Sequence, residues 1–203
     1  MGWEQCLQWL GIKKKPEVSP VKKLEEISLS WTHPEDYEVL QIEHLNESAY
    51  LEIEQGIFAC IHEYIGDRHQ DWEHIEQLSP GQRAFWITNR VENEVNNGGF
   101  NQFYFNGDSV CGEMAIHGFD KLGAPDFAAL MTQAQAIYLK HKKKLETYKT
   151  GTLADFSESY TDNPWEELDT AFYELDELES LLERRLQYAK RHPEQFCIPR
   201  KGK

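Results

Sequence analysis

Residues 79–106, SPGQRAFWITNRVENEVNNGGFNQFYFN, carry the start, the buried stripe and the stop of one helix. Ser79 can accept from the backbone at the third position, Gln82 can reach back, and Pro80 wastes no donor at the first helical position. Ala84, Ile87, Val91 and Val95 then recur at three- and four-residue steps, the period of a helix that buries one stripe. The pattern predicts a helix to about Asn97. There Asn97-Gly98-Gly99 stops it, because glycine enters the left-handed conformation that ends helices at little steric cost.

Outward from this stretch the same signals recur. Gly123 is a second stop, and Pro125 opens a helix that carries Phe127, Leu130, Met131, Ala134, Ile137 and Tyr138 on one face and runs toward Tyr148. Lys140, Lys142, Lys143 and Lys144 lie near its end, where the macrodipole favours cations. Asn163-Pro164-Trp165-Glu166 reads as another start, with Asn163 as cap and Glu166 as the reciprocal carboxylate. It opens the longest periodic segment, striped by Leu168, Phe172, Leu175, Leu182 and Leu186 and closed by His192-Pro193. Over residues 35–90 the steps of Ile53, Ile57, Ile61 and Ile65 are helical, and no period-two strand is expected there. The expected fold is all-α, a single multi-helix domain over residues 34–203. Before it, residues 1–33 read as a short amphipathic helix with Trp3, Leu7 and Leu10, then a linker rich in lysine and proline.

The chain has 203 residues, 40% hydrophobic and 28% charged, as an ordinary folded protein has. Its 21 Lys and Arg against 35 Asp and Glu leave a net charge of −14, which repels phosphate polymers and anionic lipid surfaces. Neither direct nucleic-acid binding nor membrane binding is expected, and no stretch reaches the ~20 apolar residues of a bilayer span. Cys6, Cys60, Cys111 and Cys197 stand far apart with no C-x-x-C pair, so reduced thiols in a cytoplasmic protein are expected. The N-terminus lacks the basic and apolar regions of a signal peptide, and Cys6 stands where a myristoylation signal wants Ser or Thr.

The usual catalytic signals are missing: no P-loop, no G-x-S-x-G elbow, no H-E-x-x-H. Asp67, His69, Asp71, Glu73 and His74, near His62-Glu63, form the densest group of metal-type side chains. His69 and Glu73 are one helical turn apart, but His74 is rotated off that face, so the segment reads as solvated polar surface; no metal and no cofactor is expected. Residues 92–106, ENEVNNGGFNQFYFN, crowd amides and aromatics around the glycine pair. Two readings are open there: an elbow whose amides cap carbonyls and tie two helices together, or a polar pocket for a small ligand or peptide.

The string ENEVNNGGFNQFYFN, followed by a helix and then LGAPDFAAL, resembles the signature of the bacterial DNA-mimic protein family. The resemblance spans residues 35–145, with its specific part over 92–128. It implies an all-helical acidic protein, dimeric, that occupies the DNA-binding surface of a transcription regulator. Asn97, Gly98, Gly99, Phe100, Gln102 and Asn106 match the family motif, which marks the fold. The mimicry itself rests on surface carboxylates that have no fixed motif.

Residues 158–183 hold ten acidic residues and no Lys or Arg, and eight of the ten fall within 166–183, a helical rise of roughly 26 Å. That is about one charge per 3 Å, against one phosphate per ~3.4 Å along a strand of B-DNA. Glu166, Glu167, Asp169, Glu174, Asp176, Glu177 and Glu183 are the candidate partner-binding carboxylates. Residues 35–76 add twelve more against Arg68 alone. Glu179 falls on the leucine stripe, where an unpaired carboxylate is costly, and is expected to pair with Arg83 or Arg90 or to face a subunit interface. The expected function is non-catalytic binding of a basic protein surface, such as that of a DNA-binding regulator, in competition with DNA. The alternatives are a small-ligand or metal-dependent site near NNGGFNQ, or an immunity-type binder unrelated to DNA.

Overall fold

Ser79 caps the longest helix as its spacing predicts: Gln82 N donates to Ser79 Oγ at 3.1 Å, and Ser79 N donates to Gln82 Oε1 at 3.2 Å. The computed structural model describes residues 34–200 apart from 48–49, 69–70, 108 and 162. The helix and linker expected over residues 1–33 lie outside the described residues. In chain order the elements are β1 (Tyr37–Val39), α1 (Ile42–Glu47), α2 (Tyr50–Ile65), α3 (Trp72–Ile75), α4 (Pro80–Asn106), α5 (Ser109–Leu122), α6 (Pro125–Thr147), α7 (Leu153–Glu158), α8 (Glu166–Leu178) and α9 (Leu181–Arg191). A 3-10 turn (Pro193–Gln195) and β2 (Cys197–Pro199) follow. Among the described residues no helix is long and apolar enough to cross a membrane.

The predicted stop at Asn97 is a sharp kink within α4. Gly98 (φ −161°, ψ 28°) and Gly99 (φ 69°, ψ −176°) leave helical space, and the helix resumes from Phe100. Residues 90 and 106 of a straight helix would stand ~24 Å apart. Here the Arg90 guanidinium donates to the Asn106 carbonyl at 2.9 Å, so the second arm folds back beside the first. The other stop, Gly123, has φ 72°, as the left-handed reading requires.

The core is aromatic. Tyr104 stacks on Tyr138 (4.5 Å between centroids) and on Trp165 (5.5 Å), whose indole donates to the Ala134 carbonyl at 3.1 Å. Phe119 stacks on Phe127, and Phe172 meets Phe100 and Phe127 edge-on. Helix α5 lies close on α4 because Gly118 has no side chain: a Cβ there would stand 2.7 Å from Ile87 Cγ2.

Four expectations need correction. The longest periodic segment is two helices, α8 and α9, broken at Glu179 and Ser180, with the Ser180 hydroxyl accepting from Glu183 N. The break resets the phase, so Leu181 is fully buried while Leu182 is half-buried against the core. Asn163 does not cap α8. Its Oδ1 accepts from Trp165 N and its Nδ2 donates to Asp169 Oδ2, which places Trp165 at the cap position without a side-chain bond. A strand does occur in the region read as helical: β1 pairs antiparallel with β2, Tyr37 opposite Pro199 and Val39 opposite Cys197. Three residues are too few for alternation to show, and the partner stands at the other end of the chain.

The fourth correction concerns the thiols. Cys60 of α2 and Cys197 of β2 form a disulfide with Cα atoms 6.2 Å apart, while Cys111 is free and buried. The bond closes a sequence separation of 137 residues and staples the sheet to α2, so removing it is expected to cost about 2–4 kcal/mol through the entropy released to the unfolded chain. Thermal melts with and without a dithiol reductant check this. Cys197→Ser should melt where the reduced protein does and show no further change on reduction.

Candidate functional site

Breaking α4 at Gly98 and Gly99 strands backbone groups that a continuous helix would satisfy, and long-range side chains take them up. Asp169 Oδ1 accepts from Phe100 N at 2.7 Å, capping the second arm from α8. Tyr160 donates to the Gly98 carbonyl at 2.8 Å and Tyr173 to the Val95 carbonyl at 2.9 Å. The arms are tied by amides. Asn97 Nδ2 donates to Gln102 Oε1 (2.9 Å), while Gln102 Nε2 (2.7 Å) and Asn106 Nδ2 (2.9 Å) both donate to Glu94 Oε2. Phe100 is buried edge-on against Phe172. The structure thus gathers all six motif residues, Asn97, Gly98, Gly99, Phe100, Gln102 and Asn106, at one elbow whose polar groups largely satisfy one another.

Asp169 was expected on the acidic surface; it is 8% exposed and serves the elbow instead. Burial pushes its carboxyl above the usual range, against the pull of the Phe100 N–H and the Asn163 amide. A carboxyl raised by folding binds its proton more tightly in the native state, so its contribution to stability is present at acid pH and lost as pH rises through the folded value. Asp169→Asn, which keeps an acceptor for Phe100, should fold and flatten that pH dependence. Asp169→Ala should cost about 2–3 kcal/mol by leaving a buried donor unmet. Urea unfolding at acid and neutral pH separates the two.

Of the other candidate carboxylates, Glu166, Glu167, Glu174 and Glu177 on α8 and Glu183 on α9 are exposed, and no described residue forms an ion pair with them. Asp176 is half-buried and accepts from Asn96 Nδ2 at 3.1 Å. Glu179 lies in the break rather than on the stripe. It pairs with Arg184 at 2.8 Å, not with Arg83 or Arg90, which donate to the carbonyls of Glu76 and Asn106. Arg184 also donates to the Gly123 carbonyl at 2.7 Å, so this pair locks the break against the α5–α6 turn.

The histidine-rich segment is structural where it is described; His69 lies outside the described residues. Asp71 caps α3 by accepting from His74 N, and the His74 ring stacks on Tyr64 at 4.4 Å. Among the described residues, no three His, Cys, Asp or Glu side chains gather as metal ligands would.

Two features escaped the sequence reading. Arg185, 2% exposed, is clamped between Glu54 (Nε 2.8 Å and a terminal nitrogen 2.7 Å from Oε1) and Glu92 (2.7 Å from Oε2). Burial pushes the Glu92 carboxyl up, and Arg185 offsets part of the rise. The signal was available: Arg185 stands four residues from both Leu181 and Ala189, on the buried stripe of α9. The second feature is an open cleft of about 700 Å³ between the end of α2, with His62, Ile65 and Gly66, and the two arms of α4. The first arm supplies Trp86, Asn89, Arg90, Asn93 and Glu94, and the second Phe105 and Asn106. Only the fold-back brings Asn106 beside Arg90, so no local pattern announces it.

The sequence model of the DMP19-like protein family matches residues 76–192. No curated protein and no solved structure matches the chain significantly. The match starts later than the resemblance over residues 35–145 suggested and reaches further, taking in the Gly98-Gly99 elbow, the buried Asp169 that caps it, the acidic helix α8 and helix α9. Covering more than half of the chain, it shows that the protein belongs to the DMP19-like protein family, the DNA-mimic family that its central motif resembles.

Proposed function

We propose that the protein is a non-catalytic DNA mimic that occupies the DNA-binding surface of a basic regulator. The observation that carries this is the run of exposed α8 carboxylates, Glu166, Glu167, Glu174 and Glu177, continued by Glu183, which no described Lys or Arg neutralises. Four charges over ~17 Å of helix is one per ~4 Å, close to the phosphate spacing of a DNA strand. A rigid helix presents these groups without the ordering cost of a flexible acidic tail, and they would make charge-assisted contacts with the Arg and Lys that otherwise meet phosphates. Mimicry then works by competition. Its assembly is the homodimer that the resemblance implies.

The test is displacement of duplex DNA from DNA-binding regulators by the purified protein, repeated as salt rises. Displacement should weaken by about tenfold or more between low and physiological salt, as exposed charge pairs are screened. Replacing Glu166, Glu167, Glu174 and Glu177 by Gln should abolish it with the melting temperature kept. Salt-insensitive binding, or none across a panel of regulators, overturns the proposal.

A further inference from the structure

The polar groups of the cleft beside the elbow hold one another in place and leave both donors and acceptors open. Asn93 Nδ2 donates to Asn89 Oδ1 at 2.9 Å, so the Asn89 nitrogen and the Asn93 oxygen are unspent, one of each kind on a linked pair. Gln102 and Asn106 both donate to Glu94 Oε2, which leaves Glu94 Oε1 and Asn106 Oδ1 as acceptors. The Trp86 indole N–H and the ring nitrogens of His62 have no partner among the described residues, and both residues line the cleft. A ligand here must therefore offer donors and acceptors close together.

Charge narrows the choice. Arg90 and Glu94 stand one helical turn apart and cancel, so an anion entering the cleft meets Glu94 and a cation meets Arg90. Neither is fully available. Arg90 spends a terminal nitrogen on the Asn106 carbonyl and has its Nε shut from solvent, while two amides occupy one Glu94 oxygen. A zwitterion thus finds each of its charged receptors half used. Flat aromatic ligands lack a platform too: Trp86 is 5% exposed with Arg90 over its ring at 5.6 Å, and Phe105 is half-buried edge-on against Phe156.

We propose that this cleft binds a neutral polyhydroxyl ligand, a sugar or sugar-like polyol. A hydroxyl donates one hydrogen and accepts two, so neighbouring hydroxyls can take the Asn89 nitrogen and the Asn93 oxygen together. The contact to Glu94 Oε1 is the strongest, because a hydroxyl donating to a carboxylate makes a charge-assisted bond. The C–H face of the ring rests on Phe105. The volume of about 700 Å³ lies within the ~300–1,000 Å³ of small-molecule sites. Since these side chains are already tied to one another, little ordering is lost on binding. The ligand touches both arms of α4 and the end of α2, so it braces the fold-back from the open side. The α8 ridge takes no part, and the site stands whether or not the ridge meets a regulator.

The probes are methyl α-D-glucopyranoside, methyl α-D-galactopyranoside, methyl β-D-ribofuranoside and myo-inositol. Each is titrated into the full chain and followed by NMR at the side-chain amides of Asn89, Asn93 and Asn106 and at the Trp86 indole. At least one should give saturable shifts at these groups. N-acetyl-arginine amide, inorganic phosphate, glycine and adenine should each bind at least about tenfold more weakly, since each leaves an open donor or acceptor unmet or brings a charge. Glu94→Gln should weaken the best probe by about tenfold by removing the charge-assisted acceptor. Asn93→Leu, on the exposed edge away from the elbow ties, should abolish the shifts, and it guards against disturbance of the elbow by the first variant. Glu177→Gln on the ridge should leave them unchanged. No saturation by any of the four polyols, a charged or planar comparator that binds as tightly, or binding that survives Asn93→Leu overturns the proposal.

Discussion

Arg185→Ala is expected to destabilise the protein by about 3–5 kcal/mol, the loss that follows when one partner is taken from a buried ion pair. The guanidinium is the one described cation that meets both Glu54 and Glu92, and it also lies over the Phe85 ring at 5.9 Å. Without it two carboxylates face a site from which water is largely excluded. Glu92, already pushed up by burial, loses the cation that holds it down. Its protonated form gains, so the loss should be greatest at neutral pH and shrink as the solution is acidified. For a chain of this size the melting temperature should fall by roughly 10 °C. Thermal unfolding at two pH values reads both effects. Replacing all three residues by apolar ones of similar volume should recover most of the loss, because the burial cost of the charges goes with the charges. If the triple variant is as unstable as Arg185→Ala, the cost lies in packing instead.

Gly99→Ala is expected to cost about 4 kcal/mol or to open the elbow. Its backbone angles, φ 69° and ψ −176°, fall in a region that only glycine populates freely, a strain of order 1–3 kcal/mol for any other residue. In addition, the new Cβ would stand 2.5 Å from Asp169 Oδ2, so the capping carboxylate must withdraw from Phe100. Both penalties fall on one joint, and urea unfolding together with the amide resonance of Phe100 would report them. Gly66, also left-handed at φ 53° but with open space around it, should lose only the backbone term. A Gly99→Ala protein as stable as Gly66→Ala would mean that the Asp169 cap contributes little.

The helices and the elbow were readable because their signals are local. A capping box, a stripe at three- and four-residue steps and a glycine stop each lie within a few turns of chain, and α4, the α5–α6 turn and the start of α6 follow from them. The exposed carboxylates of α8 were legible for the same reason, since polar positions opposite a leucine stripe face solvent. Errors began where two signals competed. The leucine pattern ran on through Glu179 and Ser180 as if α8 and α9 were one helix, although Ser180 with Glu183 three residues later was itself a start signal.

Local order in this chain is determined by the sequence alone: which segments coil, where they stop, and that negative charge gathers on α8. The tertiary structure decided what each polar group is for. Asp169 and Glu174 share a helix, but only the fold-back of α4 makes the first an internal cap and leaves the second in water. Likewise Arg184 and Arg185 are neighbours in sequence, yet one locks a surface break and the other anchors a buried pair. A side chain's chemistry travels with its identity, whereas its cost or use depends on dielectric and partners, which are assembled from residues far apart along the chain.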